Sequence, residues 1–303
     1  MYTEQLDYFM LAYRLRSFSA AAKQVPMSSQ GLTKSIRALE NELGVTLFVV
    51  DANGGLKPTP FAEELAPFAT QFEENRKRLA ESFERIRARE RHEIRLGTSL
   101  GIIGLLGPDF LESFHSANPD IRVTVNEDSD DVCEKNLARG AYDLAFTLAP
   151  YNPDFETEKL FATRVCFWVP SCDDLAQKRA LSVADLAGHT IAIPGKDYKC
   201  YRSLLSTCQA DGIEISEIVP SSEIFWLYEY ALHGNGLGFT IEPHTKLAMF
   251  QTSDAVVALP CEGLSWRFGI SHVKSRNLTP HEEAFRDYAI EFARTIAQGG
   301  IWA

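Results

Sequence analysis

The chain has 303 residues, 45% of them hydrophobic, with 30 Lys plus Arg against 41 Asp plus Glu and a net charge of −11. This length supports two or three domains with cores of their own, and the apolar content excludes a disordered or fibrous chain. No signal-peptide pattern opens the sequence and no apolar run could cross a bilayer, so the composition fits a soluble cytoplasmic protein with no membrane partner.

The acidity is unevenly placed. Residues 1–95 hold 14 Lys plus Arg against 13 Asp plus Glu, net +1, which leaves 16 against 28, net −12, for the remainder. A near-neutral first third is compatible with nucleic acid, although each copy would release few counterions and would need a second copy for firm binding.

Leu6, Phe9, Met10 and Tyr13 recur at i, i+3, i+4 and i+7 and predict a first amphipathic helix. A second helix is expected to start at Ser19 as N-cap, to place Ala21, Ala22 and Val25 on one face, and to end at Pro26. Ser28 can cap a third, whose Leu32, Ile36 and Leu39 face the core. The opposite face carries Ser29, Gln30, Thr33, Lys34 and Arg37, short polar and cationic side chains suited to base edges and phosphates in a major groove. The plain alternative is a small helical bundle with a solvated face. Caps, turn and outer face together favour a helix-turn-helix.

Asp51 to Lys57 contains a Gly-Gly turn between short extended runs, as in a β-wing, and would bring Lys57 to a phosphate. Thr59 and Pro60 form an N-cap and N1 pair that opens a helix reaching Arg91, roughly 45 Å long at about 1.5 Å per residue. Phe61, Leu65, Phe68, Phe72, Asn75, Leu79, Ser82 and Ile86 alternate steps of four and three along it, a heptad-like seam for a second copy, with Asn75 able to set register. Pro67 is expected to bend it. A lone amphipathic helix lying on its own domain is the alternative.

This order of elements resembles the LysR-type transcriptional regulators. The phrases Ser17–Ala22 (SFSAAA), Leu39–Phe48 (LENELGVTLF) and Lys57–Pro60 (KPTP) carry the resemblance, specifically over about the first 65 residues and more loosely beyond. One departure concerns the turn into the third helix, where Ser29-Gln30-Gly31 stands in place of the family's frequent Gln-Pro pair, so base preference does not carry over. The resemblance implies an α+β multidomain chain: a winged helix-turn-helix at 1–59, a linker and dimerisation helix at 60–91, and an α/β two-lobed periplasmic-binding-like effector domain at 92–303. Lobe I is expected at about 93–164 plus 267–303, and lobe II at about 165–266. It further implies double-stranded operator DNA, a small-molecule effector and RNA polymerase as partners, a homodimer or homotetramer, and no enzymatic activity.

From Glu93 the residues themselves read as alternating strands and helices. Strands are expected at Ile94–Gly97, Ile121–Asn126, Leu144–Thr147, Val165–Val169, Thr190–Ile193 and Gly238–Ile241. Helices are expected at Leu105–Ser116, Asp131–Arg139, Tyr198–Gln209 and Ile224–His233. Ligands of open α/β sheets sit beyond the carboxyl ends of strands, which singles out Thr98, Ser99 and Leu100, then Thr147, Pro194, Lys196, Tyr198, Phe225 and Thr240. Each is equally readable as an ordinary cap, turn or core residue. Lys196, Lys199 and Arg202 beside Tyr198, Tyr201, Phe225 and Trp226 suggest a small organic acid or aromatic metabolite.

Four other chemistries leave traces in the sequence. Gly97-Thr98-Ser99-Leu100-Gly101 matches the Gly-x-Ser-x-Gly of a serine hydrolase and lies between strand and helix, but too few strands precede it to supply an oxyanion loop. Gly234-Asn235-Gly236-Leu237-Gly238 follows a helix and opens a strand, the reverse of a dinucleotide loop. Seven scattered histidines and no Cys-x-x-Cys give a metal site no support, and no cofactor is called for. Among six cysteines, Cys200 and Cys208 occupy the region where peroxide-sensing members of the resembled family keep a reactive pair. Their spacing is one residue shorter here, and Lys199 stands where those sensors have His. Helix geometry separates the two by about 12 Å, while a helix start with Lys199 and Arg202 would favour the Cys200 thiolate.

Overall fold

The computed structural model describes residues 3–50, 55–90, 92–99 and 101–298. Two compact units divide the chain, Met1–Glu81 and Ser82–Ala303.

The first unit begins with α1 (Thr3–Leu15), α2 (Phe18–Ala22) and α3 (Ser29–Leu43). Leu6, Phe9 and Met10 of α1 are buried together with Ala12, and Tyr13 is half-buried. The start of α2 differs from expectation. Its N-cap is Ser17, whose hydroxyl accepts the Ala20 N–H at 3.2 Å, because Ser17 already has the extended backbone a cap needs. The helix closes at Ala22, and Val25 packs from the following turn, since the residue before a proline disfavours helical backbone. Ser28 caps α3 through the Gly31 N–H, and Leu32, Ile36 and Leu39 form the buried stripe.

Gly44 ends α3 at φ 69°, a left-handed conformation that a side chain would strain. The Glu40 carboxylate then accepts the N–H groups of Leu47 and Phe48 at 2.6 and 3.2 Å, which ties the chain leaving the helix to its own last turn. Strands β1 (Phe48–Val50) and β2 (Leu56–Pro58) pair antiparallel with Val49 opposite Lys57. The turn residues Asp51 to Gly54 lie outside the described residues. Thr59 caps α4 (Pro60–Glu90) by accepting the Ala62 N–H at 3.4 Å and donating to the Thr46 carbonyl at 2.6 Å.

The second unit is built on one eight-stranded sheet. Its first half is β3 (Glu93–Ser99), α5 (Ile102–Leu106), α6 (Pro108–Ala117), β4 (Arg122–Asp128), α7 (Asp130–Arg139) and β5 (Leu144–Leu148). The long β6 (Phe155–Pro170) leads into a second half with the same rhythm: β7 (Thr190–Ile193), α8 (Lys199–Ala210), β8 (Glu217–Pro220), α9 (Ile224–Leu232) and β9 (Leu237–Ile241). The chain continues through α10 (Glu242–Thr245), β10 (Val256–Val273) and α11 (Pro280–Gln298). The strand order is β4-β3-β5-β10-β6-β9-β7-β8, parallel within each outer trio and antiparallel at the β5-β10, β10-β6 and β6-β9 joins.

The expected helix over Leu105–Ser116 is instead two, because Gly107 at φ 80° turns the chain and Pro108 restarts it at a first helical position. Strand β10 was not foreseen. Pro260 and Gly263 break its pattern, yet its pairing with β6 continues through two register shifts, between Pro260 and Ser265 and between Phe268 and Gly269. Helix α11 was also not foreseen; its Phe285 packs edge-on to Phe110 and Phe114 of α6 at 5.8 and 4.8 Å between centroids.

Gly238 in β9 is fixed by close approach, since a Cβ there would lie 2.2 Å from the Leu227 carbonyl oxygen. Gly238→Ala should destabilise the second unit by roughly 1–3 kcal/mol, read as a lowered denaturation midpoint of the purified protein. An unchanged midpoint would mean that α9 shifts freely against β9.

Candidate functional site

On α3, Ser28, Ser29, Gln30, Lys34 and Arg37 are exposed, and Thr33 is half-buried with its hydroxyl donating to the Ser29 carbonyl at 2.8 Å. Ser28 spends its acceptor on the cap and keeps its hydroxyl proton for another partner. Among the described residues, Lys34, Arg37 and Lys57 form no ion pair. Several other cations of the unit are engaged: Arg76 with Asp7, Arg14 and Lys77 with Glu73, and Arg16 over the Tyr13 ring. The exposed half of α3 therefore holds polar groups and unneutralised positive charge, with Lys57 exposed on β2.

Helix α4 has two unlike faces. Ala62, Ala66 and Ala69 are buried, and ion pairs and a Tyr13–Glu63 hydrogen bond join this helix to α1. Facing away are Phe61, Phe68, Phe72, Leu79 and Ile86, between 40% and 63% exposed, with Phe83 at 52% where the expected seam had Ser82. Leu65 is half-buried against the first unit's core, so it departs from the expected exposed stripe.

Between the two halves of the sheet lies a cleft with a cavity of about 60 Å³. Ser99, Pro194, Tyr198 and Thr240 line it, four of the residues singled out by position. Leu100 lies outside the described residues. Thr98 is fully buried, its hydroxyl donating to the Ser99 carbonyl. Thr147 does not line the cleft; its hydroxyl is 2.6 Å from that of Ser271, which also meets Thr157, a polar chain across three strands. Lys196 and Phe225 are exposed and do not line it either. His244, Trp266, Ser222, Cys200 and Ile224 do. His244 and Trp266 went unnoticed because α10 and β10 enter the site only through the long return of the chain.

The positive charge expected beside the cleft is spent elsewhere. Lys199 is 8% exposed, with its ammonium on Glu134 and on the carbonyls of Leu148 and Pro150, each 2.7 Å away. Arg202 is bidentate on Asp131 at 2.8 and 3.1 Å and also reaches the Lys196 carbonyl. The Asp130 carboxylate accepts the Lys199 backbone N–H at 2.6 Å, and the Asp131 N–H donates to the Asp197 carbonyl. Helices α7 and α8 are thus latched across the cleft by carboxylates of one half and cations of the other. Burial pushes the Asp130 carboxyl above its ordinary range, outweighing the Lys199 N–H and Ser99 hydroxyl that favour its charged form.

The alternative chemistries find little support. Cys200 and Cys208 lie in one unbroken helix, both free, and burial raises both thiols, which disfavours the reactive thiolate. Ser99 forms no hydrogen bond with a histidine among the described residues. Gly97 serves packing instead, since a Cβ there would meet the Tyr142 ring at 2.1 Å. Among the described residues no cluster of three metal-ligating side chains occurs and no helix is long and apolar enough to cross a membrane.

Comparison with known proteins matches residues 87–294 to the LysR substrate binding domain and residues 3–63 to the bacterial regulatory helix-turn-helix protein, lysR family. The chain belongs to the LysR family. It is a LysR-type transcriptional regulator with an effector-binding domain. The uncharacterized regulator YybE of Bacillus subtilis is 26% identical over 295 residues, 95% of this chain and 97% of its own. Hydrogen-peroxide-bound OxyR of Corynebacterium glutamicum, a cysteine-to-serine mutant, shares the fold at a TM-score of 0.59 and 18% identity, covering 99% of this chain and 94% of its own. Full-length CbnR in complex with its target DNA does so at 0.51 and 19% identity, covering 97% and 100%.

Burial in the cleft wall holds the His244 imidazole down to about 4. Its folded pKa lies below the unfolded value, so the unfolded chain binds the proton first, and stability present above about pH 6.5 is lost as pH falls toward 4. The loss should be about 2 kcal/mol at pH 5. Comparing denaturation of the wild type and His244→Phe at pH 7 and 5 checks this, with the variant expected to lose that part of the acid sensitivity.

Proposed function

We propose that this LysR-type regulator reads double-stranded operator DNA with the exposed half of α3, through Ser28, Ser29, Gln30, Thr33, Lys34 and Arg37, while Lys57 of the wing meets a phosphate. The observation that carries the reading is the pairing, on one helix, of a buried Leu32, Ile36, Leu39 stripe with an opposite face of polar groups and unpaired cations. The DNA complex recorded for CbnR supports it. A head near net neutrality binds weakly alone, so a homodimer or homotetramer on a two-half-site operator is part of the proposal. The aromatic face of α4 supplies the contact.

In this reading residues 1–59 are the DNA head, 60–91 the linker and dimerisation helix, and 92–303 the effector domain, with lobes meeting where β6 and β10 cross near 164–165 and 266–267. Ser99, Pro194, Tyr198 and Thr240 contact a small-molecule effector, which acts by preferring one cleft geometry and so shifts the spacing of the heads. The protein works in the cytoplasm with RNA polymerase as partner and catalyses no reaction.

Binding to its own upstream DNA and to a scrambled duplex across a salt series tests the head. Selective, salt-sensitive binding is expected, and Arg37→Ala or Gln30→Ala should weaken it about tenfold or more without lowering the melting temperature, at roughly 1–3 kcal/mol per base contact. Equal binding to both duplexes would overturn the reading. Phe68→Asp with Phe72→Asp should convert the assembly to smaller species in sedimentation, and an unchanged mass would remove α4 as the contact.

A further inference from the structure

The cavity in the cleft is small and its chemistry is one-sided. At about 60 Å³ it has room for a small molecule. Much of the wall is apolar, including Leu148, Leu227, Phe239 and Trp266. Thr240 on its lining is 2% exposed, and its buried hydroxyl has no hydrogen-bond partner among the described residues. Such a buried, unpaired hydroxyl is costly unless something fills the cavity and bonds to it.

Ser99 also lines the cavity, with Asp130 against its hydroxyl. One Asp130 oxygen takes the Lys199 N–H and the other is buried without a partner. Positive charge to balance an incoming anion is absent from this wall: Lys199 is consumed by Glu134 and two carbonyls, Arg202 by Asp131, and Arg267 is exposed and lines an adjoining cavity. His244 stays neutral in its apolar surroundings at ordinary pH. A carboxylate or phosphate entering here would be desolvated beside a buried acid with nothing to pair it.

We propose that the cleft takes a small, non-anionic molecule bearing an N–H or O–H donor, such as a short amide, alcohol or amine, held by Thr240 and by Ser99, behind which Asp130 lies. This rests on the reading of the cleft as the effector site, and it replaces the organic acid suggested by the sequence. Lys199 and Arg202 serve to close α8 onto α7 and do not bind the ligand.

The test uses the full-length protein and three probes of equal size, propionamide, propylamine and propionate, titrated by ligand-observed saturation-transfer NMR at pH 7.5. Propionamide and propylamine should bind at least tenfold more tightly than propionate. Thr240→Val and, separately, Ser99→Ala should each weaken propionamide binding at least threefold while keeping the wild-type melting temperature. Propionate binding as well as the others, with sensitivity to Thr240→Val, would overturn the ligand class and leave the cleft as the site. Binding indifferent to both substitutions, or no binding by any probe, would overturn the cleft reading itself.

Discussion

Two long antiparallel strands carry the second unit. β6 and β10 pair from Phe155 opposite Val273 to Pro170 opposite Val256, and each half of the sheet grows from one of them: β5 adds to β10 at Phe268–Ser271, and β9 adds to β6 at Val165–Trp168. The pairing shifts register twice, between Phe268 and Gly269 and, more widely, between Pro260 and Ser265. There Cys261 leaves β6 to bridge Leu181, and the Leu181 and Glu262 N–H groups keep backbone partners. A register shift at that place bends the ribbon while leaving its hydrogen bonds satisfied, and the cleft lies beside this bend because Trp266 and Phe239 come from strands flanking it.

The electrostatics of the cleft follow from this frame. Besides the strands β6 and β10, side chains of α7 and α8 join the two halves with three acids and two cations. The Lys199–Glu134 pair is largely buried, and a buried pair yields modest net stability but heavily penalises any arrangement that strips one partner, whereas Arg202–Asp131 is exposed. Opening the cleft would strip Lys199 of its carboxylate and carbonyl partners. A ligand that bonds only in the closed form can shift the balance toward it.

The first unit uses economy of size. Alanines at 62, 66 and 69 let α4 lie close on its own domain, which leaves the large side chains of the same helix, Phe61, Phe68 and Phe72, turned away from that core. Exposed aromatic rings along a helix are unfavourable in isolation, and their regular spacing is a demand for a partner of matching shape. The polar end of α3 shows the same division between a face that folds the domain and a face that acts.

Much of the head was legible from local rules. Ser28 and Thr59 cap helices, Gly44 ends one, and Leu32, Ile36 and Leu39 share a buried stripe, because caps and periodicity operate over a single turn of chain. The alternation of strands and helices, and the strand-end positions of Ser99, Pro194, Tyr198 and Thr240, were readable for the same reason. Which hydroxyls meet was not. Thr147 looks like Thr240 in sequence, yet one satisfies itself on Ser271, 124 residues away, while the other is left facing a cavity. Lys199 and Arg202 read as free charge until α7, some 70 residues earlier, supplies their carboxylates. The sequence by itself determined the family, the two-faced third helix and the α/β rhythm. Only the tertiary structure decided the charge of the cleft, because pairing and desolvation are set by neighbours distant in the chain.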